Sequence, residues 1–171
     1  MYSQPRAPRA CRVGGMMIPS NAEVIDVSND TAGWIRKVVE GLDKNVDRET
    51  CARILEACGR QCAPQGLIDK ARETFEDSAD IGEFLAKLGD FFDVLRLEDE
   101  KVFVVYPECY CEQVKDIPPE DLPNNYCDCS VGWVKQVFEG ALGRPVDVKR
   151  ISSVIAGDAE CRFEIDLTES A

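Results

Sequence analysis

The sequence predicts an α+β protein of two layers, in which N-terminal helices pack on a twisted antiparallel sheet. Apolar residues recur at helical spacing in four stretches before residue 93. After residue 94 they occur in short runs and alternating patterns, with one further helical stretch between them, which gives the order β-β-α-β-β. We expect an irregular arm over residues 1–22, followed by one compact domain built from a helical part (23–93) and a sheet part (94–171).

Four helices are predicted in the N-terminal half because apolar residues recur there every three to four positions. They cover Asn29–Leu42, Asp47–Cys62, Gly66–Glu76 and Asp80–Asp93. Asn29 or Asp30 is expected to cap the first helix and Asp47 the second, since their side-chain oxygens can accept hydrogen bonds from the free N–H groups of a first turn. Pro64 is expected to stop the second helix.

The C-terminal half is predicted to begin with a hairpin of Val94–Leu97 and Lys101–Tyr106. Its second strand is apolar on both faces, which is typical of a central strand. A surface loop (113–126) then leads to a helix that Ser130 is expected to cap and Gly143 to end. Two closing strands are predicted over residues 146–155 and 160–167.

Charge and hydropathy exclude two classes of protein. The 171 residues carry a formal net charge of −12, from 32 acidic and 20 basic side chains, and such a surface repels nucleic acid. No stretch reaches the roughly 18 consecutive apolar residues of a membrane-spanning helix. The N-terminal segment lacks the apolar run of a secretion signal, so we expect a reducing cytoplasm.

The chain contains nine cysteines and no histidine. Without histidine, a Cys-His dyad, a Ser-His-Asp triad and imidazole ligands are all excluded. In a reducing compartment, many cysteines indicate metal binding or thiol chemistry more often than disulfides.

Two Cys-x-Cys pairs flank the predicted loop, Cys109 with Cys111 and Cys127 with Cys129. On an extended strand, residues two apart point to the same face, so each pair can present two thiolates in one direction. If the loop folds back, four sulfurs converge and satisfy a tetrahedral zinc ion. The alternative is that each pair serves a different place, with one of the cysteines joining Cys161.

Cys51, Cys58 and Cys62 lie on one face of the second predicted helix, at about 100° per residue. We expect this face to pack towards the sheet, with Cys129 or Cys161 as its nearest sheet cysteine. The candidate metal ligands are thus eight cysteines: the four of the two Cys-x-Cys pairs, the three of this helix, and Cys161 on the last predicted strand. Gly59, on the same helix, leaves room for another backbone or a ligand to approach. The alternative is that these cysteines are ordinary core residues.

The segment 127–165 contains Cys-x-Cys-Ser, a Phe-Glu pair on the helix, Gly-Arg-Pro-Val after it, and Gly-Asp-x-x-Cys-x-Phe-x-Ile at the end. It resembles the C-terminal part of the 4-vinyl reductase-type small-molecule-binding domain and of the L-2-amino-thiazoline-4-carboxylic acid hydrolase family. In addition, the segment 58–63 resembles the cysteine-rich helix of uncharacterised bacterial and archaeal relatives. The resemblance implies an antiparallel sheet covered by helices, an enclosed ligand pocket, and metal-binding cysteines at Cys161 and Cys129.

From these observations we expect a cysteine-rich soluble domain that binds a metal ion, an Fe–S cluster or a small organic molecule in a cavity between helices and sheet. Zinc and iron are the expected metals, and the fold allows a homodimer. One alternative is a cysteine-dependent hydrolase of a small cyclic substrate, with Arg53 or Arg60 activating the thiolate. The other is a structural or partner-binding domain with reduced cysteines in its core. Whether the protein is an enzyme stays open at this point.

Overall fold

The computed structural model describes residues 31–114 and 117–168. These residues form five α-helices and four strands, which confirms the α+β class and the order β-β-α-β-β. The elements are α1 (Thr31–Asn45), α2 (Arg48–Cys62), α3 (Gln65–Glu76), α4 (Ile81–Gly89), β1 (Leu95–Glu98), β2 (Lys101–Tyr106), α5 (Asp128–Leu142), β3 (Asp147–Ser152) and β4 (Cys161–Asp166). The predicted arm and the predicted caps Asn29 and Asp30 lie outside the described residues.

Local sequence explains where α2 and α4 begin. The Asp47 carboxylate accepts hydrogen bonds from the backbone N–H of Thr50 (2.9 Å) and from its hydroxyl (2.7 Å), and the first of these bonds is the main reason that the pKa of Asp47 is lowered. At α4, Asp80 accepts from the N–H of Glu83, whose own carboxylate accepts from the N–H of Ala79. Both starts agree with the sequence-based prediction, because each cap depends only on residues within one turn.

Three predicted helix boundaries, two C-terminal and one N-terminal, differ from the structure. The first helix continues to Asn45 instead of ending at Leu42, and the fourth ends at Gly89 instead of Asp93. The fifth begins at Asp128, so the prediction of Ser130 as its cap is wrong. The residue at the cap position is a cysteine, Cys127, which makes no side-chain cap hydrogen bond.

The four strands form one antiparallel sheet in the order β1-β2-β4-β3. The second strand pairs with neighbours on both sides, which confirms its prediction as a central strand. In the turn between β1 and β2, Asp99 and Glu100 have φ angles of 49° and 64°, as a two-residue hairpin turn requires. The third strand ends at Ser152, shorter than predicted, because an irregularity follows Arg150 and a single 3-10 turn then occupies residues 154–156.

The core has a larger and a smaller part. In the larger part α3, α4 and α5 pack against one face of the sheet, with Phe84, Phe138 and Phe163 fully buried. The smaller part joins α1, α2 and the segment between β2 and α5, which contributes Val114 and Leu122. The prediction that residues 113–126 form a surface loop is therefore wrong in part. No helix in the described residues is both long and apolar enough to cross a membrane.

A network of charged side chains joins α2 to α5. Arg60 lies between Glu139 (2.6 Å) and Glu56 (3.1 Å), and Lys135 contacts Glu56 at 3.2 Å. Each of these side chains is about one quarter exposed or less. The predicted role of Arg60 in activating a thiolate has no support here, since two carboxylates already hold its guanidinium.

We expect Arg60→Gln to lower the free energy of unfolding by about 1–2 kcal/mol, between the values typical of surface and buried ion pairs, because it leaves Glu139 without its partner. Arg36→Gln is the control, since Arg36 makes an exposed pair with Glu40 at 3.7 Å and should cost less than about 0.5 kcal/mol. Urea denaturation measures both. Equal effects of the two substitutions would contradict the role of this network.

Candidate functional site

The helices α2 and α5 cross at two glycines, and this crossing positions the cysteines at the start of α5. A Cβ atom added to Gly59 would overlap the carbonyl oxygen of Cys129. A Cβ atom added to Gly132 would overlap the carbonyl oxygen of Glu56. The prediction that Gly59 admits a neighbouring backbone is thus confirmed, and that backbone belongs to a Cys-x-Cys pair.

The three cysteines of α2 do not share one environment. Cys51 is buried, and its sulfur accepts a hydrogen bond from the side-chain amide of Asn125 at 3.2 Å, whereas Cys58 and Cys62 are exposed. The prediction that all three pack towards the sheet is wrong. The reason is that α5 stands between α2 and the sheet and contacts a row of every fourth residue, Cys51, Leu55 and Gly59. Residues four apart differ by about 40° around the helix axis, so this row winds away from the side of α2 on which Cys58 lies.

The pair Cys127 and Cys129 also divides between two places. Both residues lie at the first turn of α5, so the same-face geometry of an extended strand does not apply to them. The Cys127 side chain interacts with that of Cys161, and adjacent residues of one turn contact the two sulfurs: Ser153 that of Cys127 (3.1 Å) and Val154 that of Cys161 (3.3 Å). In contrast, burial and the neighbouring Cys111 raise the pKa of Cys129 to about 12, and Cys62 adds to this effect. The alternative in which one cysteine of a pair joins Cys161 is the one observed.

The other pair, Cys109 and Cys111, lies after β2 in a segment that is not a strand. The Cys111 sulfur is 3.1 Å from the hydroxyl oxygen of Tyr126. Burial and this contact raise the pKa of Tyr126, which keeps the phenol neutral. Burial also raises the pKa of Cys109, and its interaction with Cys161 acts in the same direction. Five cysteines therefore lie near the start of α5, and among them the side chains of Cys127 and Cys161 act most strongly on each other.

A tight turn between β3 and β4 holds the Cys161 sulfur. The Asp158 carboxylate accepts the N–H of Ser153 (2.8 Å), and Gly157 closes the turn at a φ of 91°, which favours glycine. The following N–H, that of Val154, then donates to the Cys161 sulfur at 3.3 Å. The Gly-Asp-x-x-Cys motif thus has a local explanation, since its first two residues shape the turn that points an N–H at the cysteine.

Ser153 connects the two thiols of the pair. Its side chain is buried, and its hydroxyl donates to the Cys127 sulfur at 3.1 Å. The interaction with Cys127 lowers the pKa of Cys161, and the N–H of Val154 and the charge of Arg150 add to this, against the opposing effect of burial. The same interaction raises the pKa of Cys127. The pair therefore ionises at Cys161, with Cys127 as the protonated partner.

Arg150 is held in place on β3 by the start of α5. Its guanidinium contacts Asp128 at 3.1 Å and donates to the carbonyl of Asn124 at 2.6 Å. On the other side, Tyr106 of β2 faces Cys161, and burial raises the pKa of this tyrosine above its ordinary value. The charged or titratable groups that act on Cys161 are thus Arg150, Cys127, Tyr106 and Cys109, and Arg150 alone carries a positive charge.

The geometry does not assemble a four-thiolate site. In residues 31–114 and 117–168, no three cysteine or carboxylate side chains are placed as ligands of one metal ion. The surface depressions of these residues include one of about 390 Å³ between α3 and α4 and one of about 170 Å³ beside β3. Neither is lined by a cysteine, although Ser153 lines the second. The donor set expected for zinc or an Fe–S cluster is therefore not brought together.

Sequence reasoning found Cys161 and Cys127 but missed Ser153, Arg150 and the N–H of Val154. One signal was present in the sequence, because a serine shortly before a Gly-Asp turn is a common partner of the Asp carboxylate or of a nearby polar atom. Nothing local indicated Arg150, which reaches the site from a neighbouring strand.

The chain was compared with known protein families and with curated proteins. A family model described as "Family of unknown function (DUF6144)" matches residues 16–171. This description names neither of the two families that the C-terminal motifs resemble. The search of curated proteins finds no match.

Proposed function

The chain belongs to DUF6144, a family of unknown function, and we propose that it is a thiol-dependent protein whose reactive group is the Cys161 sulfur. The observation that carries this proposal is the backbone N–H of Val154, which donates to the Cys161 sulfur at 3.3 Å, with the Cys127 side chain and the charge of Arg150 acting on the same sulfur. Each of these three favours the thiolate over the thiol. The thiolate is the form of cysteine that acts as a nucleophile.

The other cysteines support this choice by contrast. Burial raises the pKa of Cys51, Cys109 and Cys129, so their thiols are kept protonated. Cys58 and Cys62 are exposed to solvent, unlike the buried Cys161. Cys161 therefore differs from its neighbours in its surroundings, and not merely in its position on the sheet.

The metal ion or Fe–S cluster stays a prediction, since no three cysteine or carboxylate side chains among residues 31–114 and 117–168 are placed as ligands of one ion. The resemblance to the vinyl reductase-type and hydrolase-like families also stays a prediction. It is compatible with the proposal because its most specific motif contains Cys161. A cysteine-dependent hydrolase would use the same sulfur.

Alkylation at a series of pH values tests the proposal. A thiol with a lowered pKa stays ionised as the pH falls, so the alkylation rate of Cys161 by iodoacetamide should reach half its plateau below the roughly 8.5 of an ordinary cysteine. Isotope-coded iodoacetamide with peptide mass spectrometry gives a separate profile for every cysteine of the full chain. The midpoint, and not the absolute rate, is the readout, because limited access of the reagent to a buried sulfur slows the reaction by the same factor at every pH, whereas the midpoint follows the pKa.

Two variants sharpen this test. Cys127→Ala removes the largest contribution to the lowered pKa and should move the Cys161 midpoint upwards. Cys51→Ser alters a buried thiol that is absent from the groups acting on Cys161, and it should leave the midpoint unchanged. A Cys161 midpoint at or above those of Cys58 and Cys62 in the same sample would overturn the proposal.

A further inference from the structure

We propose that Cys161 and Cys127 form a reversible disulfide when a hydroperoxide oxidises Cys161. This inference deepens the proposed function and rests on it, because it assigns the oxidant class and a second residue to the same site. It starts from the position of a second thiol beside the reactive one: two adjacent residues of one turn hold the two sulfurs, Ser153 donating to that of Cys127 (3.1 Å) and Val154 to that of Cys161 (3.3 Å). A cysteine next to a thiolate is what a sulfenic acid requires in order to be converted into a disulfide.

The two cysteines belong to different elements of the fold, and their side chains meet. Cys127 is the residue at the N-terminal cap of α5, and Cys161 is the first residue of β4. Both are at the ends of elements, where a small backbone adjustment disturbs few hydrogen bonds. Ser153 donates to Cys127 from the turn between the two strands, so the pair is held from a third direction.

A surface depression lies beside the residues that hold this pair. The depression of about 170 Å³ beside β3 is lined by Ser153, Arg150 and Asp158, all of which belong to the structure around the two thiols. Ser153 lines this depression, and its hydroxyl donates to the Cys127 sulfur. Both cysteines are 5% exposed, which fits access by a molecule of the size of hydrogen peroxide and disfavours large substrates.

The chemistry balances with the hydroperoxide as the sole co-reactant. The Cys161 thiolate attacks the peroxide, an S–O bond forms, the O–O bond breaks, and the departing alkoxide or hydroxide takes up a proton. The Cys127 thiol then loses its proton and attacks the Cys161 sulfur; an S–S bond forms and the S–O bond breaks. The departing hydroxide takes that proton as water. Overall, two thiols and one hydroperoxide give one disulfide, one alcohol or water, and one water.

The other thiols near the site are less suited to the second step. Cys109 interacts with Cys161 only through its charge, and its backbone neighbour Cys111 is engaged with the Tyr126 hydroxyl. Cys129 interacts electrostatically with Cys111 and Cys62. The contact between Cys127 and Cys161 therefore selects one disulfide out of several that the composition would allow.

The test is treatment of the reduced full-length protein, free of metal, with a small excess of hydrogen peroxide. The wild type is expected to lose the mass of two hydrogen atoms, to give a linked peptide pair containing Cys127 and Cys161, and to return to its initial mass with a thiol reductant. In Cys127→Ser the reaction should stop at the sulfenic acid of Cys161, which a cyclic 1,3-diketone traps. In Cys161→Ser neither product should form, while Cys51→Ser should behave as the wild type.

The outcomes separate this inference from the proposed function. A low alkylation midpoint for Cys161 without the Cys127–Cys161 peptide overturns the disulfide and leaves the reactive thiol. A high midpoint overturns the reactive thiol itself. A disulfide that joins Cys161 to Cys109 or Cys129 in the wild type would also overturn the inference, and since this result comes from the unaltered protein, it does not depend on any variant folding correctly.

Discussion

Gly132→Ala is expected to destabilise the protein by about 3 kcal/mol, the upper part of the range for overfilling a packed interior. The Cβ atom would overlap the carbonyl oxygen of Glu56, which is a backbone atom and cannot turn away as a side chain can. The two helices would have to separate, and the pairs between Arg60 and Glu139 and between Lys135 and Glu56 would lengthen. The free energy of unfolding is measured by urea denaturation followed by circular dichroism.

Two other glycines provide matched controls in helices. Gly41 has no atom within 4 Å of an added Cβ, so Gly41→Ala should stabilise the protein by about 0.5–1 kcal/mol through helix propensity alone. At Gly140 the added Cβ would meet the side chain of Ile68, which can adjust, so this alanine should fall between the other two. The order of the three variants is the prediction, and an alanine at Gly132 that is tolerated as well as one at Gly41 would contradict the close crossing.

Helix starts and the hairpin were predictable from the sequence because they depend on neighbouring residues. Asp47 caps α2 through Thr50, three residues along the chain, and this arrangement would form in nearly any surroundings. The two-residue turn at Asp99 and Glu100 follows equally from the acidic break between two apolar runs. Such local preferences survive unless tertiary packing opposes them.

The start of α5 shows packing prevailing over local preference. Serine is a better helix cap than cysteine, and Ser130 was the natural choice from the sequence. In the structure the helix begins earlier, where the carbonyl of Cys129 lies against Gly59 and the Cys127 sulfur faces Ser153. These contacts come from α2 and from the turn before β4, so nothing near residue 130 could indicate them.

The candidate site was predictable in its residues but not in its pairing. Both Cys-x-Cys pairs stood out in the sequence, and the rule that residues two apart share a face suggested that each pair acts together. That rule holds for strands, and neither pair lies on one. The pairing of Cys127 with Cys161 depends on how β4 lies in the sheet beside the start of α5, which is a property of the whole fold.

The position of Cys161 depends on the register of β4, and replacing Phe163 tests that register. Phe163 is fully buried, lies opposite Val104 on β2, and packs its ring edge-on against Tyr106. Phe163→Ala is therefore expected to cost about 3–5 kcal/mol, the range for removing a buried aromatic ring. The neighbouring Glu164→Ala, on the opposite face and paired with Lys101, should cost less than about 1 kcal/mol.

The comparison of these two variants also bears on the reactive thiol. Side chains alternate along a strand, so Cys161, Phe163 and Ile165 share one face, and a slip of one residue would turn all three outwards. If Glu164→Ala proved as costly as Phe163→Ala, Cys161 could not meet Cys127, and the thiol site would be lost together with the register. Should Phe163→Ala fail to fold, Phe163→Leu keeps the test, since it should still cost about 1 kcal/mol more than the glutamate variant. A large cost confined to Phe163 places Cys161 where the N–H of Val154 reaches its sulfur.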